Sequence, residues 1–401
     1  MKRNKVAAID VGTTKVCTIM ADTDASGVLR ILGVGIVPSR GLEKGLVVNL
    51  NEAKQAIRES IKKAEQTAGY RLQSAYIGVT GRHVSSVNNK GVIAITHDDR
   101  LVRTNDLKRV LAVACSIKVP SDRELLHVIP RTYVVDGQEG VKNPVGMHGF
   151  RLDVETHVIT AAVTSVQNLT KCIRSIGIDI DDLVLEPLAS AEAVFTEEEK
   201  NDGVMMADIG GGTTDICVFK DNTIYYTSVL PVAGYQLTRD ISVGMGLSFE
   251  LAEEMKKKYG NVMLSQEDMG EADRTLTADG HSISYRDLSE IIRIRVDELL
   301  RLIVLELPQT DYAKLIPAGL VLTGGQSNLP GIAELGREVT HLKVRVGAPS
   351  NLYGVSDVLC DPAYATAVGL LLWKTRNQGS QNWQNKGNIR RLISRIFQLF
   401  S

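Results

Sequence analysis

Two short turns in this sequence carry the residue types that can hold phosphate groups. The first turn follows an apolar run near the N-terminus and contains Asp10, Gly12, Thr13, Thr14 and Lys15. Glycine leaves room for phosphate oxygens to approach backbone N–H groups, and the threonine hydroxyls add further donors. We expect Asp10 to hold Mg²⁺ through water and Lys15 to place its charge beside the β- or γ-phosphate. The turn therefore predicts a nucleotide site.

The same pattern returns about 200 residues later in the chain. Asp208 ends an apolar run, and Asp215 opens the next one. The turn between these two aspartates contains Gly210, Gly211, Gly212, Thr213 and Thr214. One Asp-Gly hairpin is common in unrelated proteins, but two copies at this separation indicate two similar α/β halves.

A glycine pair near residue 324 completes the set. Gly324 and Gly325 follow the apolar run 319–323. Such a pair can pass the backbone over a base or ribose and aim the start of a helix at phosphate. The other residues expected to line the site are Gln326, Asn328 and Gly234, the last of which opens a predicted helix. The alternative for all these glycines is that they form ordinary hairpin turns.

The elements that position the turns can be read from hydrophobic periodicity. The run 51–67 predicts a helix with Asn51 as its N-cap, and residues 197–200 predict an acidic loop. Residues 84–163 predict an inserted α+β unit, with a polar loop at 136–149. Further helices are predicted at 105–116, 165–176, 188–195, 234–242, 249–259, 285–307 and 364–375.

The composition is that of a cytosolic protein with a large core. Of 401 residues, 44% are hydrophobic, and the five cysteines have neither CxxC nor zinc spacing. We therefore expect buried thiols in a reducing compartment. No apolar run is long enough for a transmembrane helix, so membrane contact is expected to be peripheral.

The C-terminal segment predicts an amphipathic helix behind a polar tether. Residues 376–388 have a tether's composition, and from residue 374 onward the chain carries basic but no acidic residues. In helix 389–401, seven apolar residues lie within about 160° of arc. They are Ile389, Leu392, Ile393, Ile396, Phe397, Leu399 and Phe400, and the residues outside this arc include Arg390, Arg391 and Arg395.

This helix is too short to cross the bilayer, because at about 1.5 Å per residue it measures only about 20 Å. It can lie in the interface, with its apolar face buried and its arginines on anionic headgroups. The alternative is that it packs on the protein's own body or on a partner protein.

The three glycine-bearing segments together resemble the superfamily of actin, sugar kinases and heat-shock chaperone ATPases. This resemblance implies an actin-like fold that holds ATP and Mg²⁺ between two lobes. It implies catalytic roles for Glu186, which would orient the attacking water, and for Asp208. It also places Glu253 and Lys256 against the ribose and the adenine edge, although the residues alone allow a solvated i,i+3 pair instead.

Over nearly its whole length the chain resembles the FtsA family of bacterial cell-division proteins. The segments that carry this resemblance are 41–45, 78–81, 129–133, 143–147, 185–199, 319–331 and 362–369. The resemblance implies an ATP-binding protein at the division site that forms filaments by self-association on the cytoplasmic face of the membrane. It would tether the tubulin-like protein FtsZ, recruit later division proteins, hydrolyse ATP slowly at most, and bind no nucleic acid.

The resemblance also implies a division into domains, with each lobe built on a mixed five-stranded sheet. Subdomain 1A of the first lobe would comprise 1–83, 164–187 and 362–375, and the inserted subdomain 1C would be 84–163. The core of the second lobe, 2A, would comprise 188–240 and 315–361. Subdomain 2B, at 241–314, would dock the FtsZ C-terminal tail. The arginines of its predicted long helix are Arg286, Arg293, Arg295 and Arg301.

Two other functions remain open at this point. One is an actin-like scaffold of pilus assembly, which shares the inserted subdomain, and the other is a small-molecule kinase. Nothing resembles a dedicated sugar pocket, and a metabolic kinase has no use for the basic C-terminal helix. The tethered helix and the FtsA-like segments favour cell division over pilus assembly.

Overall fold

The fold was obtained as a computed structural model. It describes residues 4–23, 28–116, 119–263, 275–278, 280–308 and 312–377. The predicted amphipathic helix and all but the first two residues of the predicted tether lie outside this part of the chain. Among the described helices, none combines the length and the apolar composition needed to cross a bilayer.

The first lobe contains a six-stranded mixed sheet. Its strands, in spatial order, are β11 (Asp179–Leu185), β6 (Ser74–Val79), β1 (Asn4–Val11), β2 (Lys15–Thr23), β3 (Leu29–Pro38) and β19 (Tyr353–Gly354). β1 and β2 form an antiparallel hairpin around the first turn, and β6 runs parallel to β1. The sheet has one strand more than the five expected, because the two-residue β19 adds to β3.

The second lobe contains a five-stranded sheet that repeats this pattern. Its strands, in spatial order, are β14 (Thr223–Leu230), β13 (Thr214–Lys220), β12 (Val204–Ile209), β17 (Leu320–Thr323) and β18 (Val344–Val346). β12 and β13 form an antiparallel hairpin around the second turn, and β17 runs parallel to β12 as β6 does to β1. The internal repeat predicted from the two turns is therefore confirmed.

Helices cover both sheets. On the first sheet, α1 (Leu50–Ala68) and α3 (Val163–Arg174) pack on one face, while α4 (Glu186–Val194) and α11 (Ala365–Asn377) pack on the other. α4 and α11 also contact the second sheet, so they lie between the lobes. The remaining helices are α2 (Thr104–Ala114), α5 (Glu197–Asp202), α6 (Gly234–Met245), α7 (Phe249–Tyr259), α8 (Tyr285–Leu305), α9 (Tyr312–Leu315) and α10 (Ile332–Thr340).

The inserted unit is a four-stranded antiparallel sheet with α2 packed on it. Its strands, in spatial order, are β7 (Ser85–Ala94), β10 (Arg151–Ala162), β8 (Arg123–Val135) and β9 (Gln138–Val141). The region predicted as a polar loop therefore contains strand β9, because a tight turn with Asp136 and Gly137 at positive φ returns the chain against β8. Two short hairpins lie elsewhere, Leu42–Glu43 with Leu46–Val47 and Thr275–Ala278 with His281–Ser284.

The inserted unit also contacts the second lobe. The Nε2 atom of His157 lies 2.9 Å from the Thr227 hydroxyl, and Ser86 donates to the Thr227 carbonyl at 2.9 Å. Asn88 donates to the Tyr225 carbonyl at 3.2 Å. The insert therefore packs against β14, the edge strand of the second sheet.

Two local predictions were wrong because one helix cap was misassigned and another was not recognised. The N-cap of α1 is Asn49, whose side chain accepts the N–H groups of Asn51 and Glu52, and not Asn51. The predicted acidic loop at 197–200 is helix α5, because Thr196 and Glu199 form a reciprocal capping box at its start.

Four of the five cysteines are buried, as expected from their apolar neighbours. These four are Cys17, Cys115, Cys172 and Cys217, and Cys360 is exposed. The expectation of buried thiols is therefore wrong for Cys360, which lies in a short 3₁₀ helix, Asp357–Cys360, near the surface.

Candidate nucleotide-binding site

The two glycine-rich turns face each other across the cleft between the lobes. A Cβ added at Gly211 would lie 1.8 Å from the Thr14 Oγ1 atom, and one at Gly212 would lie 2.6 Å from the Thr13 Oγ1 atom. Only glycine therefore allows this approach of the second turn to the first. The contact brings together the two segments that the sequence predicted to share one ligand.

The second turn is fixed to the start of α6. The carbonyl of Gly210 accepts the Gly234 N–H at 3.1 Å, and the carbonyl of Gly211 accepts the Tyr235 N–H at 2.7 Å. A Cβ at Gly234 would lie 2.4 Å from the Gln326 Nε2 atom. Three segments that are distant in sequence therefore meet here, and they include Gly234 and Gln326.

Four carboxylates lie buried at the base of the cleft. Asp10, Glu186, Asp208 and Asp215 are each less than one-tenth exposed: 4%, 7%, 8% and 4%. Burial raises the pKa of Asp10 to about 6 and that of Asp215 to about 7; repulsion from Asp208 contributes to both shifts, and the Lys15 charge opposes the shift of Asp10. Burial and the charges of the three aspartates raise the pKa of Glu186 well above its usual range. The charge of Lys15 opposes this rise.

Asp208 is held by two hydroxyl groups from the helices between the lobes. Ser190 of α4 donates to its Oδ2 atom at 2.7 Å, and Thr366 of α11 donates to the same atom at 3.0 Å. Burial also raises the pKa of Asp208, while both of these hydrogen bonds oppose the rise. Sequence reasoning missed Ser190 and Thr366, although Ser190 stands four residues after Glu186 and so shares its helix face.

Asp215 connects the lobes. The hydroxyl of Thr80, at the end of β6 in the first lobe, donates a short hydrogen bond to the Asp215 carboxylate, and Thr213 donates to it at 3.2 Å. Sequence reasoning assigned no role to Thr80, although segment 78–81 carries part of the family resemblance. Gly78 in that segment leaves room for Glu186, because a Cβ there would lie 2.9 Å from the Glu186 Oε1 atom.

The pair Glu253 and Lys256 is buried in part and has a third partner. The Lys256 ammonium lies 2.6 Å from a Glu253 carboxylate oxygen and donates to the Thr238 hydroxyl at 2.9 Å. Lys256 is only 4% exposed, which excludes a solvated surface pair. Thr238 stands one helical turn after Gly234 on α6, so the pair reaches the helix that fixes the second turn.

The glycine pair after β17 has two different environments. Gly324 has a φ of +84°, and a Cβ there would lie 2.3 Å from the Asp208 Oδ1 atom. Gly325 opens a helix, as the sequence predicted for this pair, and this helix is a 3₁₀ helix, Gly325–Asn328. Asn328 donates to the Asp361 carboxylate at 2.9 Å, in an exposed position beyond the buried cluster.

The donor set fits a Mg²⁺ ion held through water. Carboxylate oxygens are the ligands that Mg²⁺ prefers, and several of them here share a buried cleft in which their charges repel. Among the described residues, no three His, Cys, Asp or Glu side chains converge on one point as direct metal ligands. Coordination through water by Asp10 is compatible with this arrangement.

The raised pKa values predict that stability falls as the pH rises. The folded protein binds protons to Asp10 and Asp215 more tightly than the unfolded chain, so their contribution is complete below about pH 4 and lost as the pH passes 6 and 7. Without nucleotide or divalent cation, Asp215→Asn should raise the thermal unfolding midpoint at pH 8 by about 2–4 °C. The gain should shrink toward pH 5.

The matched control is Asp221→Asn, in an exposed turn of the same lobe. It makes the same change of charge without removing a buried carboxylate, so its unfolding midpoint should follow that of the unchanged protein at every pH. Equal gains for both variants, or a gain at Asp215 that does not depend on pH, would contradict the role of burial.

Two family models match the chain. One, described as cell division protein FtsA, matches residues 205–369, and the other, described as the SHS2 domain inserted in FtsA, matches residues 81–160. The second match coincides with the antiparallel inserted unit.

Curated relatives match almost the whole chain. The cell division protein FtsA of Pseudomonas aeruginosa is 42% identical over 376 residues, which are 93% of this chain and 90% of that protein. FtsA of Neisseria meningitidis is 37% identical over 392 residues, 96% of this chain and 93% of its own. FtsA of Bacillus subtilis is 37% identical over 382 residues, 94% of this chain and 85% of its own.

Solved structures identify the fold. The PilM-PilN type IV pilus biogenesis complex aligns with a TM-score of 0.64 at 17% identity, covering 93% of this chain and 99% of that chain. MreB5 of Spiroplasma citri bound to ADP aligns with a TM-score of 0.56 at 12% identity, covering 95% and 99%. The fold is therefore actin-like. Because the identity to curated relatives extends over nearly the whole chain and the inserted domain matches as well, the chain belongs to the FtsA family of cell-division proteins.

Proposed function

We propose that this cell-division protein binds ATP and Mg²⁺ between its lobes, polymerises, and tethers FtsZ to the membrane. The observation that carries the ATP site is the contact of the two glycine-rich turns above four buried carboxylates. Buried carboxylates in this number are costly unless a cation compensates them, and a metal–phosphate ligand provides that compensation. Membership of the FtsA family favours this function over a pilus scaffold or a small-molecule kinase.

Each part of the site has a proposed task. The residues proposed to hold the phosphates are Gly12, Thr13, Thr14, Lys15, Gly210, Gly211, Gly212, Thr213 and Thr214. Gly234, Gln326, Gly324, Gly325 and Asn328 would border the nucleoside, with Glu253 and Lys256 beside the ribose. Asp10 would hold the metal ion through water, and the ion when bound would neutralise phosphate charge.

Glu186 and Asp208 are proposed as the catalytic residues, with Glu186 orienting the attacking water. Burial raises the pKa of Glu186 well above its usual range, which favours the protonated carboxyl, a poor proton acceptor. Hydrolysis should therefore be slow, which suits a protein in which ATP serves mainly to hold the lobes together. Thr80 would help to hold the lobes together through its hydrogen bond to Asp215.

We also propose the domain boundaries that the resemblance implied, with 84–163 as the inserted subdomain and 241–314 as subdomain 2B. An acidic FtsZ tail on 2B would have to compete for arginines that already have partners. Arg293 pairs with Glu338 at 3.1 Å, and Arg295 pairs with Glu298 at 2.7 Å. Arg301 likewise pairs with Asp297. Binding of the tail should therefore weaken with salt.

The C-terminal helix would bind an anionic membrane surface reversibly, and polymerisation would multiply the number of anchors. ATP would then control membrane attachment, because closed subunits polymerise and polymers dissociate slowly. Downstream division proteins would be recruited to the same polymer at the division site.

Co-sedimentation with vesicles tests this proposal. The full chain, a truncation after Asn377 that keeps α11 whole, and Lys15→Ala should be compared on anionic and neutral vesicles, with and without ATP and Mg²⁺. We expect the full chain to pellet with anionic vesicles, more so with ATP, and to carry FtsZ with it. The truncation should stay in solution, and Lys15→Ala should bind without the ATP effect. Equal pelleting of the full chain and the truncation, or none by either, would contradict the proposal.

A further inference from the structure

We propose that His127, a residue of the inserted subdomain, is a positioning residue for Glu186 in ATP hydrolysis. This inference rests on the proposed ATP site and adds to it a link from the insert to the reacting water. His127 lies on β8, and its role was not apparent from its place in the sequence.

The link is a hydrogen bond at the junction of strand and helix. The backbone N–H of Leu185 donates to the His127 Nε2 atom at 3.0 Å. Leu185 is the last residue of β11, and Glu186 is the first of α4. The bond requires that His127 carries no proton on Nε2.

The topology of the first sheet explains why a side chain is needed here. Among the described strands, β11 is an edge strand that pairs only with β6, so its outward-facing N–H groups have no partner in that set of strands. Leu185 is fully buried, so water cannot replace the missing acceptor. His127 of the neighbouring subdomain supplies it.

The His127 ring is itself held in place. It is 6% exposed, and its centroid lies 5.6 Å from that of the Trp373 ring on α11. On its own sheet it pairs with Ile159 of β10. α11 also carries Thr366, which binds Asp208. His127 therefore lies between the strand that leads to Glu186 and the helix that supports Asp208.

The position of the Glu186 carboxylate depends on this junction. It packs against the backbone at Gly78, where a Cβ would lie 2.9 Å from its Oε1 atom, so it has little room to adjust. A displacement of Leu185 would be passed to Glu186 directly through the chain. A misplacement of about 1 Å in a water-orienting group can cost on the order of 100-fold in rate. The seating of the insert and the rate of hydrolysis are thereby coupled.

Three substitutions at His127 and one control substitution test this role. His127→Phe keeps the ring and removes the acceptor, whereas His127→Gln can present an amide oxygen near the position of Nε2. The control His148→Phe changes an exposed histidine of the same subdomain, which bonds the Asp99 carbonyl. His127→Leu, smaller and also without an acceptor, gives the same comparison if the phenyl ring prevents folding.

The readouts are hydrogen exchange at the Leu185 amide, ATP affinity and kcat for ATP hydrolysis. We expect His127→Phe to lose protection at Leu185 and to lower kcat at least tenfold, with ATP affinity within twofold. His127→Gln should restore most of both, and His148→Phe should change neither. A wild-type kcat in His127→Phe, or a joint fall of kcat and ATP affinity that glutamine does not rescue, would overturn the proposal.

Glu186→Gln separates this failure from failure of the proposed function. If Glu186→Gln lowers kcat but His127→Phe does not, only the role of His127 is wrong. If the unchanged protein binds no ATP, or Glu186→Gln hydrolyses it at the wild-type rate, the proposed site is wrong and the role of His127 falls with it.

Discussion

Gly324→Ala is expected to lower the free energy of unfolding by about 2–4 kcal/mol, while Gly325→Ala should change it by less than about 0.5 kcal/mol. At Gly324 the new Cβ would lie 2.3 Å from the Asp208 carboxylate and 2.6 Å from the Ile209 carbonyl, and the backbone has a φ of +84°. Overpacking and left-handed strain therefore act together. At Gly325 the nearest atom is the Ala363 Cβ, at 3.8 Å.

Urea unfolding of the three proteins without nucleotide measures this difference. The neighbouring glycines serve as each other's control, since both substitutions add one methyl group to the same turn. A similar loss of unfolding free energy at the two positions would show that the turn responds to an added side chain in the same way at either glycine. The specific contact between Gly324 and Asp208 would then carry no special cost.

Lys15→Ala is expected to weaken ATP binding about 10- to 100-fold, the effect of removing one charged hydrogen bond to phosphate. Lys15 opens β2 directly after the first turn, and its charge lowers the pKa of Asp10 and Glu186. Without it the buried carboxylates lose a neighbouring cation as well. The fold should persist, because the Lys15 side chain is partly exposed.

Lys5→Ala is the matched control for this measurement. Lys5 lies on the paired strand β1 and has its ammonium 3.5 Å from the centroid of the Tyr70 ring, much as Lys15 stands 5.2 Å from that of Tyr364. Both substitutions remove a lysine above a tyrosine, but only one of these lysines faces the cleft. Calorimetric titration with ATP and Mg²⁺ should leave Lys5→Ala at wild-type affinity. An unchanged affinity in Lys15→Ala would contradict the phosphate-binding role of the first turn.

The parts of the fold that the sequence predicted are those with local signals. The hairpins around Gly12 and Gly210 were predictable because apolar runs flank glycine-rich turns, and the repeat showed that both belong to one architecture. Helix Phe249–Tyr259 was predicted at its observed bounds, and the structure shows Ser248 as its N-cap and lysines in its last turn. Such features depend on residues that are neighbours in sequence.

The parts of the fold and of the site that were missed depend on contacts between residues that lie far apart in the sequence. Thr80 and Asp215 are 135 positions apart, and Thr366 and Asp208 are 158 apart, so no periodicity could pair them. Strand β14 was missed because its alternation of buried and exposed residues is weak, since the strand lies half-buried against the inserted unit. The link between His127 and Leu185 could not be predicted either, since it requires knowing which edge of the sheet the insert covers.

The distribution of the cysteines makes this protein suited to single-site labelling. Burial raises the pKa of Cys115 to about 11 and that of Cys17 and Cys217 further still, so these thiols are both inaccessible and protonated at neutral pH. Cys360 is the one exposed thiol among five. It precedes Asp361, the partner of Asn328, and Pro362, whose carbonyl accepts the Gly324 N–H at 3.1 Å. A fluorophore attached under native conditions would therefore report from beside the cleft, with no cysteine needing to be removed first.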